Sequence, residues 1–527
     1  MSLETLSRYW QTLRWLRPVQ VYGRLWFRLH RPRPDLRPAP ALRAAMGTWS
    51  GCARAASMKG PERFRFLNVE RCIVGPSDWN RANWSKLWLY NAHYFDDLAA
   101  ADAAARTGWH RAIVGRWIIE NPPGQGVGWE PYPTSLRIVN WVKWTLAGNA
   151  LDDAARQSLA VQTRLLRKRL EMHLLGNHLW ANAKALVFAG TFFDGAEAEA
   201  WRVKGLTLLR RELPEQILPD GGHFERSPMY HAIMLEDVLD LLQLARVYPG
   251  LFTDVDLAAW REVVLRMHRW LRVMTHPDGG ISFFNDAAFD IAATLAALTD
   301  YAAVLGVACD LTPLADIEAL ADSGYVRLQA GPAVMIADVG EIGPDYLPGH
   351  AHADTLSFEF SLRGQRMLVN GGTSTYEVTA ERLRQRGTAA HNAVVVDGRD
   401  SSEVWSSFRV ARRARPLAAT WSRDGDALWL SAGHDGYRRL PGKVIHRRRW
   451  RLDPKGLAVE DVLEGRRPLA EARFLVLPGC DFTWTVEGGT GQLLPATWHP
   501  RFGESMACEV LSVTPADSAW TTRFRWE

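Results

Sequence analysis

Between about residues 85 and 305 the apolar residues fall three and four positions apart. AARQSLAVQTRLLRKRLEMHLLG, ALVFAGTFFDGAEAEAWRVKGLTLLRREL and LEDVLDLLQLARVYP all carry this spacing, which gathers apolar side chains on one helix face. Glycine, proline and aspartate punctuate between them. Two of the turns echo each other: ILPDGGHFERSPMYH at 217–231 and THPDGGISFFNDAAF at 275–289 both set Pro-Asp-Gly-Gly after a helix. Helical hairpins with matching turns predict a curved array, an incomplete (α/α) toroid. After about residue 320 the period becomes two, in GYVRLQAGPAVMIADVG, TLSFEFSLRGQRMLVNGG and HRRRWRLDPKGLAVEDVLEG; such runs are strands, and Pro-Lys-Gly in the last is a turn. An antiparallel β-sandwich follows. The chain therefore reads as a multidomain α+β protein. Residues 1–84 form a basic, aromatic helical extension packed on the toroid, 85–310 the toroid and 311–527 the sandwich. Their junction predicts a cleft.

Composition narrows this picture modestly. At 527 residues the chain exceeds one ordinary core, and 47% hydrophobic with 23% charged residues is the balance of a folded domain protein. The 24 tryptophans serve either core packing or flat platforms for sugar rings. A net charge of +5 suits an anionic ligand, but without a basic stripe and a binding motif it excludes nucleic acid as the partner. Five cysteines without CxxC spacing argue against a disulfide framework and against a cysteine zinc site. In the N-terminal MSLETLSRYWQTLRWLRPVQVYGRLWFRLHRPRP, Arg14, Arg17, Arg24 and Arg28 interrupt every apolar run. No secretory signal and no stretch of ~18 apolar residues is found, and the protein is read as cytoplasmic. The basic segment carries two readings: packing on the protein's own body, and peripheral contact with an anionic membrane surface.

Four stretches carry candidate chemistry. In HLLGNHLWANAKALVFAG, Asn177 precedes His178, and His178 and Asn182 share a helix face; they are either buried polar groups satisfied by neighbouring loops or amides that meet a substrate carboxylate. In GGHFERSPMYHAIMLEDVL, Ser227 is a helix N-cap with Pro228 at the first position. Tyr230 and His231 then lie in the first turn, where the helix dipole lowers a phenol's pKa and favours an anion. In PGHAHADTLSFEFSL, alternation along a strand puts His350, His352 and Asp354 on one face, a poor way to build a core. The last stretch, RMLVNGGTSTYEVTAERLRQRGTAAHNAVVVDGRDS, supplies Asn370, Tyr376, Arg386, His391 and Asn392. His352 and His391 would hold a metal only with a third ligand. Arginines 382, 384, 386, 409, 412 and 413 either bind carboxylate or sulfate groups or form a solvated face. Glu130 and Arg137 of GVGWEPYPTSLR complete the set of substrate contacts, which is Glu130, Arg137, Asn182, His231, Arg386 and Asn392.

The order of these motifs, Asn-His on a helix, Ser-Pro-x-Tyr-His, His-Ala-His-Ala-Asp, LVNGGT…Y and GTAAHNAVVVDG, resembles that of the heparinase II/III-like polysaccharide lyases. The resemblance implies the same toroid and sandwich, and cleavage of a uronate-bearing anionic polysaccharide or oligosaccharide by β-elimination. Such an enzyme neutralises the uronate carboxylate, removes the C5 proton and protonates O4. By resemblance Asn177 with His178 neutralises, Tyr230 and His350 are base and acid in an order left open, and Tyr376 is a further active-site tyrosine. The resemblance also implies a structural zinc held by His352, an acid in the next strand and His391. Asn370 stands at the acid's position, and an amide is a weak zinc ligand; the histidine pair then binds water or recruits Asp354. Two other readings remain: a glycoside hydrolase using two of Glu130, Asp220 and Glu225, and a non-catalytic glycan-binding protein of polysaccharide biosynthesis.

Overall fold

The computed structural model describes residues 3–466 and 469–527. Helices Lys86–Tyr94, Thr107–Glu120, Pro131–Leu146, Asp153–Lys168, Gly176–Phe192, Ala196–Gln216, Pro228–Val247, Asp254–Val273 and Leu295–Val304 build the toroid. Side-chain caps start several of them: Asp152, Ser227, Thr253 and Thr294 each accept the backbone N–H three residues on, worth about 1 kcal/mol apiece. Trp117, Trp141 and Trp180 fill the interior. Gly190 and Gly205 let helices Gly176–Phe192 and Ala196–Gln216 cross closely; a Cβ at Gly190 would lie 2.4 Å from the backbone N of Arg202.

The two echoed turns are the same structure. Leu218 and His276 donate to the carbonyls of Gly222 and Gly280, and Asp220 and Asp278 accept from the N–H groups of those glycines. Gly221 and Gly279 take φ of 91° and 82°, a left-handed conformation open to glycine.

The C-terminal half is two antiparallel sheets. A nine-stranded sheet includes Tyr325–Ala330, Ala333–Asp338, Phe358–Leu362, Gln365–Val369 and Ala470–Val476. A six-stranded sheet includes Ala427–His434, Ile445–Asp453, Gly456–Glu464 and Ala519–Arg525. Phe358, Phe360, Trp450, Phe474 and Phe524 form the core between them. On the other face of the larger sheet, Val369, Leu475 and Val510 join the core of the toroid. Glu359 marks this contact: it accepts from His276 Nε2 at 3.1 Å and from the N–H groups of Phe283 and Asn370.

Two expectations are corrected here. The segment 348–357 is not a strand: pairing begins at Phe358, and Leu356 takes a left-handed φ of 69°. Among its described residues the extension 1–84 is α-helical only at Leu3–Leu13 and Pro18–Leu29, with a hairpin at Arg63–Phe66 and Val69–Cys72 and a short 3-10 helix at Pro76–Asn80. It packs on the sandwich as well as on the toroid, since Arg8 pairs with Glu403 at 3.1 Å and Arg17 with Glu215 at 2.5 Å. No described helix is long and apolar enough to cross a membrane.

Candidate active site

The loop 348–357 meets the toroid at Asp286, a carboxylate that no motif in the sequence marks as functional. Asp286 is fully buried and accepts from His350 Nδ1 and His352 Nε2, each at 2.9 Å, from Thr373, and from both terminal nitrogens of Arg382. Burial opposes its charge, but the Arg382 guanidinium and the two imidazoles hold its carboxyl well below the usual carboxylate range. On the other side of His350, Nε2 lies 3.5 Å from Glu225 Oε2. Burial raises the pKa of Glu225, partly offset by His350 and by the backbone N–H of Asn177. Glu225 and Asp286 each follow one of the echoed Pro-Asp-Gly-Gly turns. That repeat was the available signal for Asp286.

Tyr230 stands against His350, ring centroids 3.9 Å apart, and its hydroxyl is 3.1 Å from that of Tyr376. Ser227 caps the helix and accepts the N–H of Tyr230, as the sequence predicted. The phenol's acidity is opposite to expectation. Burial, with the neighbouring phenols and Asp286, raises the pKa of Tyr230 well above its ordinary value, outweighing the helix terminus. Tyr376, held by Phe408 and Phe502 and by Arg382 over its ring, is likewise raised by burial. On the other side of Glu225, half-buried Asn177 and His178 begin helix Gly176–Phe192. The His178 ring packs on Tyr132 at 4.5 Å and its Nδ1 lies 3.2 Å from Glu171. Burial works against a charge there, but Glu171 prevails and the pKa of His178 is raised. Asn177, His178, Tyr230, His350 and Tyr376 thus line one junction, with Glu130 on the same wall, bonded to Tyr90 and paired with Lys86 at 2.9 Å.

The other expected substrate contacts are buried and occupied. Asn182 accepts from Glu171 N and donates to Ser135 and to Glu171 Oε2, which fixes the partner of His178. Arg137 donates to Gln162 and to the carbonyls of His93 and Gly128, over the Trp117 ring. His231 stacks on Trp270 between Met267 O and His223 N, and burial lowers its pKa to about 3. Arg386 donates to the carbonyls of Ala351, Ser406 and Arg409, which clamps the histidine loop. Asn392 ties Phe358, Val369 and Leu475. None of these five reaches the cleft; each instead satisfies backbone groups that burial would otherwise strand. Asp220, a hydrolase candidate, is engaged by the Gly222 and Ser323 N–H groups.

For the implied zinc, the buried atoms without a hydrogen-bond partner are informative. They include His352 Nδ1, both ring nitrogens of His391 and Asp354 Oδ1. One ligand atom from each of His352, Asp354 and His391 lies within 4.8 Å of the others. Asn370 is turned away: its oxygen accepts the N–H of Asn392 and its nitrogen faces Ser357. Stranded buried donors and acceptors are costly, and two imidazoles with a carboxylate are a zinc donor set. These three residues fit the metal; Asn370 does not.

A helical toroid joined to an antiparallel sandwich, with tyrosine, histidine and asparagine converging at the junction, defines the class of fold and site. The chain belongs to the heparinase II/III-like family. Residues 153–307 match the heparinase II/III N-terminus and 312–527 the heparinase II/III-like C-terminal domain. A heparin-sulfate lyase of Bacteroides stercoris is 24% identical over 283 residues, 50% of this chain and 40% of that protein. This chain thus spans less than half of that relative's length. The FtsZ-localized protein C of Caulobacter vibrioides is 26% identical over 427 residues, 76% of this chain and 68% of that one. A crystal structure of heparinase III superposes with a TM-score of 0.68 at 19% identity, covering 85% of this chain and 79% of the other, a likeness of fold.

Proposed function

We propose that the protein is a polysaccharide lyase that cleaves an anionic, uronate-bearing glycan by β-elimination. The observation that carries the proposal is the grouping of Tyr230 and His350 face to face, with Asp286 on His350 Nδ1. An ionised Asp286 holds the proton on Nδ1 and leaves Nε2 as the acceptor, the logic of a carboxylate-oriented imidazole. His350 Nε2 takes the C5 proton, the electron pair forms the C4–C5 double bond, and the C4–O4 bond breaks. Tyr230, whose raised pKa keeps its proton on the oxygen at neutral pH, gives that proton to O4. Tyr376 positions the Tyr230 hydroxyl. Asn177 and His178, whose raised pKa favours its cationic form, meet the uronate carboxylate. A zinc ion held by His352, Asp354 and His391 would supply structural cross-linking of the loop that carries His350.

The test is turnover of candidate polymers, from heparan sulfate, hyaluronan, chondroitin and alginate to bacterial exopolysaccharides, followed by ultraviolet absorbance of the unsaturated uronate and product mass. Reducing ends without that chromophore would indicate a hydrolase and sink the proposal. The match over most of the chain to FtsZ-localized protein C, a relative whose name is not that of a lyase, keeps a second reading in play, a glycan-binding protein without turnover. Glycan affinity that survives Tyr230→Phe and His350→Ala, with no product from the parent protein, would establish it.

A further inference from the structure

The N-terminal helices wear their amphipathicity inside out. In Pro18–Leu29 the small and polar positions face the protein. Gly23 lies against His173, where a Cβ would come within 3.2 Å, and Gln20 donates to the carbonyl of Tyr346. Tyr22, Leu25, Trp26 and Leu29, which share the opposite face, are 60–72% exposed. Leu3–Leu13 repeats the pattern. Arg8, Thr12 and Ser7 bond to Glu403, Trp405 and Arg412, whereas Leu6, Trp10 and Leu13 are outside, Trp10 at 65%. Large apolar side chains left exposed along one face of a helix mark an interaction site.

Charge identifies the occupant. Arg14, Arg24, Arg28, Arg31 and Arg33, in these helices or just after them in the chain, are exposed, and among the described residues none has an acidic partner. Glu4 is the only acid between residues 3 and 34. A second copy of the chain, related by a two-fold axis, would set these arginines against themselves. An anionic bilayer complements them: tryptophan, tyrosine and leucine enter the interface while arginine heads stay with the lipid phosphates. We propose that this helical pair is a docking surface for anionic lipid bilayers. Its inner side rests on the segment that leads to His350, with Arg17 over the Tyr346 ring at 3.7 Å, so docking sets that edge of the cleft beside the membrane.

Full-length protein should co-sediment with phosphatidylglycerol vesicles and not with phosphatidylcholine vesicles, and added salt should weaken the binding. Trp10→Glu with Trp26→Glu, and separately Arg24→Glu with Arg28→Glu, should each reduce binding by about tenfold or more with unchanged melting temperature. The inference is overturned by absence of binding to phosphatidylglycerol vesicles, or by equal binding to both lipids. It is also overturned by full binding in both variants, or by a lipid-free dimer that Trp26→Glu abolishes, which would assign the face to a second copy.

Discussion

Replacing Asp286 with asparagine keeps the shape of the side chain and removes the charge that four groups share. Arg382 is the partner most affected: it is 1% exposed, and its other acceptor is the uncharged carbonyl of Ser407. Two unit charges about 4 Å apart at an effective dielectric of about 20 interact by about 4 kcal/mol. Removing one member of a buried pair typically costs about 3–5 kcal/mol, because the other charge stays buried and uncompensated. Unfolding entropy of about 2 cal/mol/K per residue over 527 residues converts that cost into a melting shift of about 3–5 °C, if the domains unfold together. Because the Asp286 carboxyl is depressed in the fold, its stabilisation is complete at neutral pH and is lost as the pH falls through the folded-state value. The gap between parent and Asp286→Asn should therefore begin to shrink below about pH 4. Chemical denaturation across pH, with Arg382→Met and the double variant completing a cycle, measures each quantity. A loss under about 1 kcal/mol, a double variant as unstable as the sum of the singles, or a gap that widens in acid would refute the reasoning.

Tyr230→Phe should lower turnover by about a hundredfold or more without moving the melting temperature, which kinetics beside calorimetry would check. After chelation, added zinc should bind at one equivalent and raise the melting temperature; Asp354→Ala or His391→Ala should abolish the binding, and Asn370→Ala should not, by metal analysis. Gly190→Ala should destabilise by about 1–3 kcal/mol, towards the upper end because the obstructing atoms at Arg202 and Ala198 are backbone; urea denaturation reads this directly.

The parts legible in the sequence were those encoded locally. Helical and strand periods, the Ser227–Pro228 cap and the twin Pro-Asp-Gly-Gly turns all survive in the structure, because each depends on neighbours a few residues away. Alternation misread the histidine loop for the same reason. His350, His352 and Asp354 are not arranged by a strand but by Asp286 and Asn285, more than sixty residues distant, and by Arg386 on the Ala351 carbonyl. Inward arginines mislead most. Among the described residues Arg137 and Arg386 have no carboxylate within ion-pair distance, and burial lowers the pKa of both, that of Arg386 to about 9; sequence offers no sign that a guanidinium will answer carbonyls in place of a ligand. Yet their burial has a consequence for the site. A guanidinium that donates to several carbonyls at once fixes loops that have no regular pairing of their own, so the rigidity of His350 comes from Arg382 and Arg386 beneath it. Proton transfer at His350 would then depend on residues that never touch the glycan.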